Sequence, residues 1–312
     1  MASWLASDCC LNGSILPEHA EQHPGVLEIR GKGTTKDTME ANAIPLVISG
    51  CSAPFRLGSE PAEKLILREL TLASSHTATL RIWEETGNSI ARHIWLVPPT
   101  KTPEPISHHC RVGRDAALAS VIFLDQTITS ETTARLPALS KLLHQPRGPP
   151  LQAVELGAGC GIVGIALASM LDSCEVLLTD LPEVEEIVQR NLAEAHLKKS
   201  SSVSYQNLDW DEPPLQFCRK RIDLILVSDC TYNADSLPAL VSVLDKLTRS
   251  SPEALVLVAL KRRHESEAVF FDLMQSAEFT GEQASMDMPA QNDQVDKIEL
   301  HCYRKVTCHR SG

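Results

Sequence analysis

No apolar run in the 312-residue chain approaches the roughly 20 residues needed to cross a bilayer, so a membrane-spanning helix is not expected. The N-terminus, Met1-Ala2-Ser3-Trp4-Leu5, has neither the basic start nor the clean apolar core of a signal peptide. The ten cysteines lack the regular spacing of a secreted disulfide framework, and Cys9 and Cys10 are adjacent. Reduced thiols are expected, in a soluble protein of the cytoplasm, with the nucleus also open to it. A surplus of positive charge is missing too. Twenty-nine Lys and Arg against 40 Asp and Glu leave a net charge of −11, which disfavours sequence-independent nucleic-acid binding and tolerates a basic protein partner better. His301-Cys302 and Cys308-His309 form the one cluster with metal-ligand chemistry. His301 and Cys302 are consecutive on an expected strand, so their side chains point to opposite faces and no metal is expected. No internal repeat is visible, and oligomeric state leaves no mark; a monomer is the default.

The chain does have enough apolar residues, 43%, to bury one large core. Its most informative stretch is Val154-Glu155-Leu156-Gly157-Ala158-Gly159-Cys160-Gly161-Ile162-Val163-Gly164. An apolar run enters a glycine turn and leaves it as a helix, the strand-turn-helix that holds a nucleotide-like ligand at a helix N-terminus. Gly157, Gly159 and Gly161 remove every Cβ where a ligand approaches the backbone, and they allow φ > 0 where the turn needs it. Gly159 to Gly164 also fits the dinucleotide pattern GxGxxG letter for letter, so the glycines alone do not choose the cofactor. Glu155 favours a cationic sulfonium cofactor, S-adenosylmethionine, because a charged acid there would repel a pyrophosphate.

The downstream pattern continues an α/β alternation. Glu175 to Asp180 is a strand ending in an acid about 20 residues past the glycines, placed to accept ribose hydroxyls or, more plainly, to cap a helix. Leu181-Pro182-Glu183 opens a helix running to His196-Leu197. Ser202 to Asn207 is a third strand leading into Asp209-Trp210, where the indole covers an adenine or simply packs. A fourth strand, Ile222 to Val227, delivers Ser228-Asp229-Cys230-Thr231-Tyr232 to the same edge. Helices are expected over Leu237 to Leu247 and Glu267 to Gln275, with strands over Leu255 to Leu260 and Asp296 to Arg304. Lys261-Arg262-Arg263-His264, after the fifth strand, reads as structural.

In order and spacing, Val154 to Gly164, Thr179-Asp180, Leu208-Asp209-Trp210 and Asp229-Cys230-Thr231-Tyr232 resemble the family-16 seven-β-strand methyltransferases, the class I branch that includes protein-lysine methyltransferases of the methyltransferase-like 21 type. The resemblance covers most of residues 75 to 305. It implies an α/β, doubly wound, Rossmann-like seven-stranded sheet with S-adenosylmethionine as cofactor. It further implies cofactor contacts from Trp95, Glu155, Gly157, Ala158, Gly159, Gly161, Asp180, Asp209, Trp210 and Ser228. The family's acid-x-x-aromatic motif falls on Asp229 and Tyr232, which it makes the catalytic pair. The implied partner is a protein substrate such as a translation factor, a chaperone or another ATPase.

One departure from the family is large. Trp95 matches a tryptophan that the family places directly before a helix start, and here that start resumes at Asp115-Ala116-Ala117. The intervening Leu96 to Arg114 holds four prolines without apolar periodicity and reads as an irregular insertion. Residues 1–60 read as a poorly ordered extension and 61–312 as the catalytic domain. Lys64 to Leu72 is expected to be a helix, and Ala78 to Trp83 with Ser89 to Trp95 a hairpin; helices at Ala116 to Ile122 and Leu136 to Leu143 precede the linker Pro146 to Pro150. Three readings stand together: a protein-lysine methyltransferase, a methyltransferase acting on a small molecule or another protein group, and a cofactor-fold protein that binds a partner without catalysis. A dinucleotide oxidoreductase is a distant fourth, because no hydride-transfer constellation accompanies the glycines.

Overall fold

Several short runs that are apolar at almost every position become parallel strands covered on both faces. The computed structural model describes residues 26–27, 46–47, 64–72, 79–86, 114–130, 135–146, 148–217, 221–262, 266–289 and 295–306. Its N-terminal elements are β1 (Val26–Leu27), β2 (Leu46–Val47), β3 (Lys64–Thr71), β4 (Thr79–Thr86), α1 (Arg114–Thr129) and α2 (Pro137–His144). The central ones are β5 (Leu151–Leu156), α3 (Ile162–Met170), β6 (Cys174–Asp180), a 3₁₀ turn (Pro182–Val184), α4 (Glu185–Glu194), β7 (Ser202–Asn207) and β8 (Leu224–Ser228). The chain closes with α5 (Leu237–Ser250), β9 (Leu255–Leu260), α6 (Ser266–Ser276), β10 (Phe279–Pro289) and β11 (Val295–Lys305).

Seven strands form one sheet in the order β10-β11-β9-β8-β5-β6-β7. From β9 to β7 all neighbours are parallel, and the β10–β11 pair is added antiparallel at one edge. Period-two alternation divides the core between the two faces. Leu224, Leu226, Leu255, Leu257 and Ala259 join the side that holds α1, α3 and the β3–β4 hairpin, whereas Ile225, Val227, Val256, Val258 and Leu260 join the side that holds α5 and α6. β5 pairs with both β6 and β8, so the order reverses beside it. In such sheets the crevice beyond the carboxyl ends at this point is where ligands bind.

Most expected elements appear within a few residues of their expected bounds, including the seven-stranded doubly wound sheet. Two corrections stand out. Lys64 to Thr71 is a strand, not a helix, and it pairs antiparallel with Thr79–Thr86, whose expected partner, Ser89 to Trp95, lies outside the described residues. The apolar positions Leu65, Ile66, Leu67, Leu70 and Leu72 fit either period, and pairing decides: Leu70 and Leu72 are buried while Thr71 is exposed, and opposite them Leu80 and Ile82 are buried while Thr79 and Arg81 are exposed. The second is β10, which sequence reasoning missed. Ala284, Met286 and Met288 alternate with exposed Gln283, Ser285 and Asp287, a half-buried edge pattern diluted by small and polar residues. Apart from β1 paired with β2, the expected extension lies outside the described residues, as do Trp95, the hairpin arm from Ser89 and the insertion up to residue 113.

The described residues of the basic run after β9 are tied down, in line with a structural role. Lys261 pairs with Asp296, and Arg262 makes a two-pronged pair with Glu299 while lying 4.7 Å from the Phe271 ring centre. His301 stacks on Tyr303 and meets Phe271 on the α5–α6 side, whereas Cys302 packs in the opposite cluster, so the two do face apart. Cys308 and His309 lie outside the described residues.

Candidate functional site

Register places the site. Leu156, the last residue of β5, lies beside Thr179 on β6 and Val227 on β8, so the glycine turn begins between the ends of two parallel strands. Positive φ at Gly157 (67°), Gly159 (55°) and Gly161 (79°) folds the turn into the left-handed region that glycine tolerates. Gly157 is also needed for space. A Cβ there would fall 2.6 Å from Cys230 Sγ and 3.2 Å from the Trp210 indole. Gly159 differs, since a Cβ there would meet no atom within 4 Å.

The turn is held from several elements. Ala158 N–H donates to Thr179 O (3.0 Å) and Gly161 N–H to Ala158 O (2.8 Å). Asp180, at the end of β6, accepts from Gly159 N–H through Oδ2 and from Leu181 N–H through Oδ1, both at 2.7 Å. Asp180 does not cap the helical turn that follows, whose N-cap is Leu181; its carboxylate braces the glycine turn instead.

Glu155 is 2% exposed, and its Oε2 accepts from Gly164 N–H inside α3 at 2.8 Å. Burial, opposed by that hydrogen bond and aided by the charge of Asp180, raises its carboxyl from 4.5 to about 8. A neutral carboxyl does not repel pyrophosphate, so charge at Glu155 is not what separates a sulfonium cofactor from a dinucleotide. The folded protein binds this proton more tightly than the unfolded chain does. Its stabilising contribution is therefore complete below about 4.5 and lost as pH rises through about 8. Chemical denaturation across that window should show stability falling by up to about 1.4 kcal/mol per pH unit, and Glu155→Gln should flatten the slope. An equally steep slope in the variant would show that other groups carry it.

On the other strand end, Ser228 Oγ lies 2.9 Å from Ser120 Oγ. Ser120 gives its own proton to Ala116 O, so Ser228 is the donor, and the contact joins α1 to the end of β8. Asp229 follows with φ of 58°, one of two described non-glycine residues in the left-handed region, and its N–H donates to Ala259 O at 2.9 Å. Backbone strain of this kind concentrates at functional sites. Burial raises the Tyr232 hydroxyl well above its usual range, with Cys230, Asp229 and Asp180 adding to the effect, so it stays protonated. Cys230, buried with its Sγ within hydrogen-bonding reach of Ser228 O and Leu156 O, stays a thiol for the same reason.

Asp209 is exposed and caps a turn by accepting from Asp211 N–H at 2.9 Å, while half-buried Trp210 packs on Gly157. Glu155, Gly157, Ala158, Gly159, Gly161, Asp180, Trp210, Ser228, Asp229 and Tyr232 thus come from the ends of neighbouring strands. Trp95 lies outside the described residues. Sequence reasoning passed over Asn191, which is fully buried on α4 and reaches the turn by donating to Cys160 O at 2.8 Å. A signal was present: Ile187, Val188 and Asn191 share the buried face of an otherwise charged helix, an unusual place for an amide.

Comparison with known proteins agrees with this arrangement. A family described as lysine methyltransferase matches residues 108–277, which contain the glycine turn, Asp180, Trp210 and the Asp229–Tyr232 motif. A UPF0665 family protein of Schizosaccharomyces pombe is 26% identical over 86% of this chain and 72% of its own length. Protein-lysine N-methyltransferase rrg1 of the same yeast is 33% identical over 49% of this chain and 55% of its own length. Protein N-lysine methyltransferase METTL21A of Danio rerio is 30% identical over 50% of this chain and 66% of its own length. The chain thus spans between about half and two thirds of the length of these two lysine methyltransferases. With the match to the family extending over more than half of its residues, from the helix before the glycine turn to α6, the chain belongs to the lysine methyltransferase family.

Proposed function

We propose that this chain transfers a methyl group from S-adenosylmethionine to a lysine side chain of a protein. The observation that carries the reading is the pairing of Leu156 with Val227, which sets the glycine turn beside the Asp229–Tyr232 motif at the point where strand order reverses. The residues fit the cofactor. Gly159 leaves open space where a Cβ would intrude, Asp180 offers a carboxylate for a ribose diol beside it, and Trp210 offers an aromatic surface on the same turn. When bound, S-adenosylmethionine supplies a methyl carbon on a sulfonium centre.

The protein's own contribution is alignment and dehydration of the acceptor. A lysine has a reference pKa near 10.4, so presenting it neutral at pH 7 costs about 4 to 5 kcal/mol. A wall formed by the half-buried Tyr232 disfavours the ammonium and lowers that cost. Asp229 orients the amine through a hydrogen bond. Being protonated, Tyr232 serves as a wall and a polar contact, not as a phenolate base. The net charge of −11 suits a lysine presented by a basic protein segment. Location in the cytoplasm or nucleus rests on sequence composition alone, as does the division at residue 60.

The test has two stages: calorimetric titration with S-adenosylmethionine beside NAD, then transfer of labelled methyl to a protein extract with lysine analysis after hydrolysis. Micromolar binding of the sulfonium cofactor and label on methylated lysine are expected. Label confined to small molecules or to other side chains would replace lysine as the acceptor, and binding without any transfer would favour a partner-binding role.

A further inference from the structure

The glycine turn is gripped from two sides by one stretch of chain. Asp180, ending β6, holds Gly159 N–H; Asn191, on the α4 that follows, holds Cys160 C=O at 2.8 Å. The same Asn191 side chain also binds the β3–β4 hairpin. It accepts from Trp83 N–H at 2.7 Å and donates to Trp83 O at 2.9 Å, copying the two-bond pairing of an added strand. Trp83 is fastened further: its Nε1–H donates to Glu194 Oε1 at 2.8 Å, and the Arg190 guanidinium lies 4.2 Å from its ring centre. One fully buried amide therefore uses its acceptor and both donor sites to join three elements.

We infer that Asn191 is a positioning residue that couples docking of the β3–β4 hairpin to the cofactor-binding form of the glycine turn. The Cys160–Gly161 peptide has two ends. Its carbonyl is fixed by Asn191 and its N–H by Ala158 O, so the amide helps set the plane of a peptide that Gly161, at φ 79°, leaves free to turn on one side. Burial, aided by the charge of Glu84 on the same hairpin strand as Trp83, raises the Cys160 thiol to about 12, in keeping with a hairpin packed beside the turn. Coupling of this kind is reciprocal: a ligand that orders the turn also holds the hairpin, and loss of the hairpin contact weakens the ligand.

The inference rests on the S-adenosylmethionine reading, and its test separates the two. In the wild-type chain, saturation with S-adenosylmethionine should slow amide exchange in residues 79–86, although none of these belongs to the glycine turn. Asn191→Ala and Asn191→Asp should each weaken cofactor affinity about tenfold by calorimetry, about the net worth of one hydrogen bond. Asp keeps the acceptor for Trp83 N–H but can donate neither to Cys160 O nor to Trp83 O, so its failure to restore affinity shows that the amide's donor bonds, and not the Trp83 N–H contact alone, hold the turn. Wild-type binding with unchanged exchange in residues 79–86 would overturn the coupling even if neither variant folds. Wild-type affinity in Asn191→Asp would overturn it too. No binding by the wild-type chain would instead overturn the cofactor reading together with the coupling built on it.

Discussion

Asp229→Asn should lower methyl transfer by about a hundredfold or more while leaving S-adenosylmethionine affinity within roughly threefold of wild type. Asparagine is the informative replacement because of the backbone. Asp229 sits at φ 58°, a conformation that Asn also tolerates, so the change removes a charge and an acceptor without adding strain. Alanine at the same position would add about 1 kcal/mol or more of left-handed strain at the end of β8, mixing a folding effect with a chemical one. Turnover and cofactor titration measured on one preparation separate the roles. Parallel loss of both would make Asp229 a structural cap, and undiminished turnover would remove it from the site.

The second large effect comes from comparing two glycines of one turn. Gly157→Ala should destabilise the fold by about 3 kcal/mol, combining left-handed strain with overpacking against Cys230 Sγ and Trp210. Gly159→Ala meets nothing within 4 Å, so its folding cost should be only the strain, about 1 to 2 kcal/mol. Its methyl group would stand in the opening assigned to the cofactor, and affinity should fall more than about tenfold, the energetic weight of a poorly placed methyl group in a close-packed contact. Thermal melts and calorimetry on the two variants should therefore give opposite rankings, Gly157→Ala the larger loss of stability and Gly159→Ala the larger specific loss of binding. Wild-type affinity in Gly159→Ala would move the cofactor away from this face of the turn.

The central sheet was readable because parallel strands covered on both faces are short, continuous apolar runs, and Leu255 to Leu260 has no polar residue to blur it. The glycine turn was readable because positive φ values and close approach leave few residue choices. Local pattern failed where partners decide. Lys64 to Leu72 fits a helix as well as a strand until Thr79–Thr86 is placed against it. β10 carries too many small and polar residues to announce itself, and it forms because β11 offers a full antiparallel ladder.

The same division runs through the site. Sequence alone determined the strand-turn-helix, the acid ending β6, the aromatic after β7 and the acid-x-x-aromatic after β8, because each is a short local pattern with its own chemistry. Only the tertiary structure decided what these groups touch. Burial turned Glu155 from an assumed charge into a carboxyl held near 8 that caps α3; register brought Cys230 and Trp210 against Gly157; and helix α4 carried Asn191 between the hairpin and the turn. Such contacts join residues far apart in the chain, and their energies depend on solvent exclusion and strand order, neither of which a local pattern contains.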